Sequence, residues 1–489
     1  MKNNKLIKLL SVVFLGYLFI SQSLSAQSLN VTWGLEQPYH KRGETQEIDI
    51  IHVNNQNIYY RISSALLIKE FDFIVKHNRL SGENIYYDIQ NSMKGYEPTL
   101  HLAYFKDSDI HLSLGFRNKK SKKSEDFLEV IDTTSMKLKT ERVKLATVDR
   151  LPGKPDFSVL TNMNFEVIGN EFKYIATSDK NDNTYSTIRT PNDLNLKKRY
   201  LDSEFSIVCY PKNKEKPIYL PLKLQENCFV TSCQLAVNDK QEIICAGLYS
   251  KQGIGTAAGC FSFVISPLLS DIKSMYFKEF TQDFSAKGFE TIDFKYNYDK
   301  TDAIKEFENN TMYKSPDIHF NKDGSYNIVF ERFRSEFVSS GVLNGQVQTR
   351  NGYTYGDIFV LKCNSDGSIR WTQKIPRSAY VIDNSYIGKY FLKYDDNDNM
   401  FFIFNLIDTK LTLITIANSK TVCVKLDNEG NEKFSVLESE TDKSKYIYPY
   451  FSYEIGNESI LVVKNITNFL FPGTGSSNHT ITFGEVKLK

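Results

Sequence analysis

The chain has 489 residues, enough for about three average domains or for one large repetitive domain. Its 60 Lys and Arg residues against 58 Asp and Glu residues leave a formal net charge of +2, which argues against a protein that coats nucleic acid or another polyanion. A mean hydropathy of −0.37 excludes a polytopic helical membrane protein. Aromatic residues, which favour strands, make up 13% of the chain, so composition already indicates an all-β protein.

A signal peptide is predicted at the N-terminus. Three lysines fall within the first eight residues, an apolar stretch follows from Leu9 to about Ile20, and a short polar run leads to Ala26. This order is typical of a secretory signal, so we expect a signal peptide over 1–26 and one mature domain over 27–489. The alternative is an uncleaved anchor, but the apolar stretch is short for a membrane span. The expected location is therefore the periplasm or the cell exterior, with no transmembrane segment in the mature chain.

Short alternating strands separated by polar turns dominate the rest of the chain. Four successive segments each resemble a unit of several strands, and they cover about Glu47–Ile89, Leu100–Leu145, Phe165–Leu224 and Cys233–Phe280. In the third unit the expected strands are 165–169, 171–178, 204–210 and 217–224. Repetition at this scale predicts one repetitive domain.

The clearest repeats lie between residues 317 and 440. Asp-Gly pairs at 323–324 and 366–367 each join two strands, and glycine suits such turns because it takes positive φ without steric cost. Gly367 and Gly430 are 63 residues apart and hold the same place in the pattern. Phe434 stands where Trp371 stands one unit earlier. Four strands per unit with an internal period predict a β-propeller.

The last unit shows only three strands, between Tyr450 and Leu488. The segment Leu29–Trp33 could supply the fourth strand and pair the two chain ends, which would remove exposed sheet edges. The expected fold is therefore an all-β propeller of seven four-stranded blades, closed by the N- and C-terminal strands. Six or eight blades stay open as alternatives because the first unit is poorly defined. A string of β-sandwich domains is disfavoured because no Pro/Gly/Ser linkers separate the units.

The long connections are expected on one face of the propeller. The turns that join strands 1–2 and 3–4 of a blade share one face, and here they are short. The long segments all belong to the opposite face, and they are Asp179–Ser203, Phe284–Ser315, Phe333–Gly356 and Asn465–Asn478. Long loops on one side of a repeat array often form its binding surface. The alternative is that these loops are exposed to solvent and have no binding role.

Seven residues beside these loops are candidates for binding. Glu331 follows an apolar strand and needs a positive partner, which the nearby Arg332 or Arg334 could supply in a structural ion pair. Four tyrosines flank the best-defined blade, namely Tyr353, Tyr355, Tyr380 and Tyr386. Tyrosine rings can stack on sugars or hold an extended peptide, and packing between blades is an equally weighted alternative.

No motif identifies a catalytic or metal site. The segments Asp179–Asn183 and Asp395–Asn399 match the opening of a calcium loop but lack its later glycine and glutamate, so plain turns are expected. The sequence contains no nucleophile elbow, zinc-protease motif, phosphate loop or dinucleotide fingerprint. Carboxylates are plentiful, so a glycosidase pair stays open. No metal and no cofactor is predicted.

The seven cysteines are too few for a disulfide scaffold, and their odd number leaves at least one unpaired. Cys228 and Cys233 flank a turn-sized segment and could bridge. Cys245 and Cys260 lie on consecutive expected strands and could also bridge. The remaining cysteines include two within apolar strands, where a free thiol behaves as a small hydrophobe.

The stretch Ile358–Pro376 combines a strand, an acidic-Gly turn and a second strand, with Trp371 four residues after Gly367. In this it resembles exported bacterial β-propeller proteins with a quinoprotein-like repeat. The resemblance covers mainly residues 315–440 and implies a propeller fold. Trp33 and Trp371 are the two tryptophans of the chain, so the tryptophan docking of quinoprotein dehydrogenases is mostly absent and no quinone cofactor is carried over.

The leading functional prediction is an exported binding or scaffold propeller that recognises a polysaccharide or a protein partner through its long-loop face. Nucleic acid is not an expected partner, because the charge is balanced. The alternative is a glycan-active hydrolase or lyase with carboxylates in the central funnel. The sequence leaves open whether the chain is an enzyme.

Overall fold

The protein is all-β in the part of the chain that its computed structural model describes. The described residues are 27–35, 37–38, 44–66, 69–89, 96–118, 124–148, 165–168, 171–191, 203–213, 216–225, 228–251, 257–287, 312–314, 318–343, 346–377, 379–382, 385–407, 419–440, 445–466 and 480–488. The predicted signal peptide over 1–26 lies outside them. Within them, the helices α1 (Gln282–Ala286) and α2 (Ser385–Gly388) and the 3-10 turns Pro267–Leu269 and Pro449–Phe451 are short. Among these described helices, none has the length and apolar character that a membrane crossing requires.

Within the described residues the strands form seven separate sheets, numbered here in chain order. Three short strands come first, namely β1 (Gln27–Ser28), β2 (Val31–Trp33) and β3 (Gln37–Pro38). Sheet 1 contains β4 (Glu44–Val53), β5 (Asn57–Leu66), β6 (Lys69–Asn78) and β7 (Asn84–Asp88). Sheet 2 contains β8 (Tyr96–Lys106), β9 (Asp109–Asn118), β10 (Ser124–Asp132), β11 (Lys137–Leu138) and β12 (Val143–Val148). Sheet 3 contains β13 (Phe165–Ile168), β14 (Glu171–Ser178), β15 (Thr184–Pro191), β16 (Ser203–Tyr210) and β17 (Ile218–Pro221).

The second half of the chain continues the series. Sheet 4 contains β18 (Phe229–Val237), β19 (Ile243–Ser250), β20 (Gly259–Ile265) and β21 (Ile272–Glu279). Sheet 5 contains β22 (Met312–Lys314), β23 (His319–Phe320), β24 (Tyr326–Leu343), β25 (Gln346–Cys363), β26 (Ile369–Ile375) and β27 (Ala379–Ile382). Sheet 6 contains β28 (Phe391–Tyr394), β29 (Met400–Ile407), β30 (Ser419–Leu426) and β31 (Glu432–Glu440), together with β1. Sheet 7 contains β32 (Lys445–Ile447), β33 (Tyr453–Gly456), β34 (Ser459–Ile466) and β35 (Thr480–Lys487), together with β2 and β3.

Neighbouring sheets pack on one another through shared hydrophobic clusters. Described clusters join sheet 1 to 2, 3 to 4, 4 to 5, 5 to 6, 6 to 7 and 7 back to 1. At the last of these interfaces the rings of Tyr60 and Phe483 meet edge to face, with centroids 5.2 Å apart. The described residues include no such cluster between sheets 2 and 3. Because middle strands such as β19 and β29 are covered on both faces, they are apolar along most of their length instead of alternating.

Three turns share one hydrogen-bond pattern. In Asp179–Asn183, Asp395–Asn399 and Asp427–Asn431 the first carboxylate accepts the backbone N–H groups of the third and fifth residues, and the side-chain amide of the closing Asn donates to its second oxygen. The carboxylate oxygens are therefore used within the turn. The prediction that the first two segments form turns is confirmed. Within the described residues, no group of three or more His, Cys, Asp or Glu side chains could hold a metal ion.

The two ends of the described chain meet in sheet 7. Val31 of β2 lies opposite Val486 of β35, and the pairing continues through Trp33 and Gly484. The preceding strand β1 pairs in parallel with β31 of sheet 6. The N-terminal segment therefore adds β1 to sheet 6 and both β2 and β3 to sheet 7.

Two of the four segments predicted to be long loops contain strands instead, so these predictions are wrong in whole or in part. The segment Phe333–Gly356 belongs to β24 and β25, which pair from Tyr326 opposite Cys363 to Leu343 opposite Gln346. Asp179–Ser203 contains β15, which pairs with both β14 and β16. Of Phe284–Ser315, residues 288–311 lie outside the described part of the chain, and so do residues 467–479 of the fourth loop.

Neither of the two disulfides that the sequence left open is present, because all seven cysteines are free thiols. Cys245 lies opposite Phe263 on the β19–β20 ladder, whereas Cys260 lies opposite Leu248. The two sulfurs are thus separated by three ladder positions. Cys233 lies in β18 opposite Gly247, while Cys228 precedes that strand.

Candidate functional site

Seven ionisable side chains from sheets 1 and 5 and from the connection to sheet 6 form what we call the charged cluster. Its members are Asp49, Arg61, Asp72, Lys314, Glu331, Arg377 and Lys389. Asp49 lies in β4 and Lys314 in β22, and both strands are at the edges of their sheets. Lys389 directly follows α2 and precedes β28, the edge strand of sheet 6. Ion pairs and longer-range charge interactions connect the members.

The sheet 1 part of the charged cluster is a guanidinium held between two carboxylates. Arg61 lies opposite Asp49 on the β4–β5 ladder and donates to it from Nη1 at 3.2 Å. Its Nε and Nη2 both donate to Asp72 Oδ1, at 3.0 and 2.9 Å. The Asp72 side chain is 8% exposed, whereas that of Asp49 is 44% exposed. Asp72 therefore anchors the arginine, and Asp49 is the carboxyl that solvent or a ligand can reach.

Two opposing effects set the acidity of Asp49. Desolvation raises the pKa of this carboxyl above its ordinary value, and it outweighs the positive charges of Arg61 and Lys389, which lower the pKa. The nearby charge of Asp72 also raises the pKa of Asp49. Asp49 therefore keeps its proton to a higher pH than a free aspartic acid does.

The sheet 5 part of the charged cluster is a buried ion pair. Glu331 accepts a hydrogen bond from Arg377 Nη1 at 2.6 Å, and the arginine side chain is 0% exposed. The expected partners Arg332 and Arg334 are therefore wrong, because Arg377 approaches from the chain that follows β26. Burial raises the pKa of Glu331, and the charges of Arg377, Lys314 and Lys389 oppose that rise.

Aromatic rings surround the guanidinium of Arg377. Its central carbon lies 5.3 Å from the ring centroids of Tyr355 and Phe404 and 5.7 Å from that of Tyr390. Its Nε and Nη2 have no hydrogen-bond partner in the structure. The cation is therefore stabilised by one carboxylate and by ring faces.

Two lysines complete the charged cluster. Lys314 lies opposite Glu331 on the β22–β24 ladder, and its ammonium stands 3.3 Å from the ring centroid of Phe333. Burial lowers the pKa of Lys314, Glu331 opposes this effect, and the charge of Lys389 adds to it. Lys389 thus interacts electrostatically with Asp49 in sheet 1 and with Glu331 and Lys314 in sheet 5.

Two tyrosines accompany Lys389, and we call them the aromatic pair. Tyr386 lies in α2 and Tyr450 in the 3-10 turn before β33, and their ring centroids are 5.5 Å apart at 31°. The ammonium of Lys389 lies 3.9 Å from the Tyr450 ring centroid and 4.7 Å from that of Tyr386. Phe451 packs against both rings, and Tyr450 is 42% exposed.

A buried asparagine joins the two segments that carry the aromatic pair. The side-chain amide of Asn405 donates to the backbone oxygens of Ile387 in α2, at 3.1 Å, and of Ile447, at 2.9 Å. Thr421 donates to its oxygen at 2.7 Å, so the Asn405 amide is fully used. On the other side of α2, a Cβ added at Gly388 would stand 2.2 Å from the Tyr355 ring. These contacts fix α2 between Tyr355 and the chain before Tyr450.

The structure brings some of the predicted site residues together. Glu331 and Tyr355 both contact Arg377, and Tyr386 joins the aromatic pair. Tyr353 and Tyr355 pack on Phe333, with ring centroids 6.4 and 5.2 Å away. The other predicted residues lie on the same sheet, since Arg332 and Arg334 are in β24 and Tyr380 lies opposite Thr354.

Sequence reasoning missed Asp49, Arg61 and Asp72. They lie in the unit that the sequence defined least well. A usable signal exists in hindsight, because Asp49 stands between Ile48 and Ile50, and Arg61 between Tyr60 and Ile62. Charges between apolar neighbours on two paired strands indicate an ion pair inside a sheet.

Comparison with known proteins gives no sequence relative. No protein-family model matches the chain, and no curated protein matches it. Solved structures that resemble it include the polysaccharide lyase Uly1, with 10% identity, coverage of 92% of each chain and a TM-score of 0.34. The phage phi92 endosialidase has 7% identity, covers 95% of this chain and 70% of its own, and gives a TM-score of 0.33. The α-L-arabinofuranosidase of Fusarium graminearum has 7% identity, coverage of 93% and 98%, and a TM-score of 0.32. Likeness at this level assigns neither an activity nor a substrate to this chain.

Proposed function

We propose that the chain is an exported seven-bladed β-propeller whose charged cluster cleaves a glycan. Two observations support the ring. Seven sheets follow one another along the chain, and shared hydrophobic clusters join six of the seven neighbouring pairs, including sheet 7 to sheet 1. The strand β2 also pairs with β35. In such a ring the first edge strand of each blade lines the central channel. β4, β22 and β28 are such edges, so the charged cluster gathers at the channel.

The observation that carries the enzymatic proposal is the accessible carboxyl of Asp49, held on a guanidinium that a second carboxylate anchors. A general acid needs a fixed orientation, access to the substrate and a raised pKa, and Asp49 combines all three. Asp49 donates its proton to the glycosidic oxygen as the bond to the anomeric carbon breaks. In hydrolysis, a water molecule then supplies hydroxide to that carbon and returns a proton to Asp49.

The test is digestion of a panel of polysaccharides with the native chain and with Asp49→Asn. We expect new reducing ends with the native protein and a rate lower by about 10²–10⁴ in the variant, the usual contribution of a general acid. Asp107→Asn is the matched control, because it makes the same chemical change on an exposed turn where the backbone has a φ of 51° that Asn tolerates. Absence of cleavage across neutral and acidic glycans, or equal rates for native protein and Asp49→Asn, would overturn the proposal. Unsaturated products would indicate elimination instead of hydrolysis.

A second candidate function is recognition of a polymer or a protein partner without cleavage. The aromatic pair favours it, because a half-exposed Tyr450 beside Tyr386 offers a surface on which a sugar ring can stack. Of the residues predicted from the sequence, the partly exposed Arg332, Arg334, Tyr353 and Tyr380 remain candidates for such a surface, whereas Glu331 and Tyr355 are buried. Retention of an intact glycan by the native chain, without any product over long incubation, is the result that supports this candidate over the enzyme.

A further inference from the structure

We propose that Asp72 is a positioning residue for the proposed general acid and acts on Asp49 through the guanidinium of Arg61. The inference rests on the proposed glycan-cleaving function and adds what sets the pH range in which Asp49 can donate its proton. It depends on three observations: the places of the three residues on one sheet, the division of the arginine's donors between the two carboxylates, and the unequal exposure of those carboxylates.

Three adjacent strands of sheet 1 bring these residues together on one face. Arg61 in β5 lies directly opposite Asp49 in β4. On its other side it lies opposite Ile74 in β6, and Asp72 stands two residues before Ile74 in the same strand. Residues two apart in a strand point to the same face, so Asp72 is a diagonal neighbour of Arg61. The register of the sheet therefore places the arginine between the two acids.

The donors of Arg61 are divided unequally between the two carboxylates. Nε and Nη2 form the fork of the guanidinium that can bind a carboxylate through two parallel hydrogen bonds. Both donate to Asp72 Oδ1, at 3.0 and 2.9 Å. Asp49 Oδ2 accepts from Nη1 at 3.2 Å, the longest of the three contacts. Asp72 therefore keeps the fork from Asp49, which receives the weaker contact.

This division limits how far Arg61 favours the ionised form of Asp49. An arginine beside a carboxyl typically lowers its pKa by about 1–3. The charged groups that act on Asp49 come from β5, β6 and the segment after α2, and they are Arg61, Asp72 and Lys389. The negative charge of Asp72 offsets that of the guanidinium, and burial then keeps the pKa of Asp49 raised. Because the Asp72 side chain is nearly buried and that of Asp49 is 44% exposed, the substrate meets Asp49 and Asp72 acts from behind the arginine.

The test measures the protonation of Asp49 directly and does not depend on cleavage. The full chain is made with aspartate that is isotope-labelled at the side-chain carboxyl, and the NMR resonance that Asp49→Asn removes reports the titration of Asp49. We expect Asp72→Asn to lower the midpoint by about one pH unit or more, because the guanidinium then acts on Asp49 with its full charge. Asparagine keeps an oxygen that can accept from Arg61, so a merely structural role of Asp72 would not move the midpoint. An unchanged or higher midpoint overturns the inference.

Two further variants locate the effect. Arg61→Met combined with Asp72→Asn should leave the midpoint of Asp49 at or above its native value, because Arg61 lowers the pKa of Asp49 more than Asp72 raises it. A midpoint below the native value in this double variant would show that Asp72 acts without Arg61, which overturns the inference. The double variant replaces the ion pair with neutral side chains, so it also serves if Asp72→Asn does not fold. Asp109→Asn is the matched control and should leave the midpoint in place, because it removes a carboxyl of similar exposure that pairs with Lys139 in sheet 2.

Kinetics separate this inference from the proposed function. Where the native chain cleaves a glycan, Asp72→Asn should move the alkaline limb of kcat/KM against pH to lower pH by as much as it lowers the Asp49 midpoint. A lowered midpoint in a chain that cleaves no glycan supports the action of Asp72 on Asp49 and overturns the enzyme. Cleavage together with an unchanged midpoint in Asp72→Asn supports the enzyme and overturns the positioning role. A lowered midpoint with an unmoved limb shows that Asp49 is not the general acid and overturns both.

Discussion

The indole ring of Trp371 in sheet 5 lies against Gly430 in the turn between β30 and β31 of sheet 6. Its Nε1 donates to the backbone oxygen of Asn428 at 3.0 Å, and a Cβ added at Gly430 would stand 2.9 Å from the ring. Position 430 therefore needs glycine for two reasons: its φ is +86°, and the Trp371 ring of the neighbouring sheet leaves no room for a Cβ.

This contact predicts that Gly430→Ala is more destabilising than Gly324→Ala. Gly324 has a similar φ of +82°, but its added Cβ would meet no atom closer than 3.5 Å. Both variants bear the backbone strain, and Gly430→Ala alone crowds Trp371, which we expect to cost a further ~1–3 kcal/mol of unfolding free energy. Urea denaturation of the two variants measures the difference. Equal losses would show that Trp371 moves aside without cost.

The Glu331–Arg377 pair predicts strong coupling in a double-mutant cycle. Arg377→Met leaves a buried carboxylate without its guanidinium, which we expect to cost about 3–5 kcal/mol. Glu331→Gln combined with Arg377→Met should cost clearly less than the sum of the two single variants. Additive losses in urea denaturation would contradict the pairing.

The same pair predicts how the loss in Arg377→Met depends on pH. Burial already raises the pKa of Glu331 above its ordinary value of 4.5, and removal of Arg377 raises it further. A carboxyl whose folded pKa is raised contributes stability at low pH and loses it as pH rises through the folded pKa. The variant should therefore be closest to the native chain below pH 4.5 and furthest from it at neutral pH, and Glu331→Gln should remove this dependence. Urea denaturation at several pH values checks it, and a destabilisation that does not change with pH would contradict it.

The raised pKa of Asp49 predicts the alkaline limb of the pH–rate profile. As a general acid, Asp49 acts in its protonated form, so activity should fall as pH rises through its pKa. The charge of Lys389 lowers that pKa, so Lys389→Met should raise it and move the alkaline limb to higher pH. The measurement is kcat/KM against pH for both proteins on one oligosaccharide, with Lys322→Met as the control that keeps the native profile. A shift to lower pH in Lys389→Met would contradict this assignment.

The free cysteines predict seven titratable thiols in the unfolded chain without added reductant. In the folded chain Cys363 and Cys423 should resist alkylation, since they are buried and burial raises the pKa of each thiol to about 12. Cys228 and Cys233 are only partly buried and should react first. Mass spectrometry after timed alkylation gives the order, and a mass lower by two protons per bridge would reveal a disulfide.

Much of the architecture could be predicted because turn residues mark the strand boundaries within each repeat. The turn glycines at 367 and 430 have φ values of +91° and +86°, the positive values that the repeat implied. Sheet 4 coincides within a few residues with the unit expected over Cys233–Phe280, and β28–β31 of sheet 6 lie within the repeat region 317–440, whereas sheet 5 departs from the expectation over 333–356. The missing fourth strand of the last unit pointed to Leu29–Trp33, and β2 from that segment pairs with β35.

The errors have physical causes. The β24–β25 hairpin was taken for a loop because polar residues interrupt its alternation, although the Asn-Gly pair at 344–345 in the sequence is a strong hairpin signal. The strand β15 was missed because it is rich in Thr, Ser and Arg and shows little apolar alternation. It forms a strand because β14 and β16 pair with it on both sides, which the sequence pattern does not reveal. Arg377 could not be predicted as the partner of Glu331, because 46 residues separate them and only the fold brings them together.

The pairing of β2 with β35 has a consequence for how the chain reaches its folded state. Val31 and Val486 lie far apart in sequence, so their contact closes a very long stretch of chain. During synthesis β2 cannot pair until β35 has been made. Until then its backbone groups, and those of β34, have an open side that another chain could pair with. We expect the β2–β35 pairing to form late in folding, and a chain shortened before β35 to aggregate.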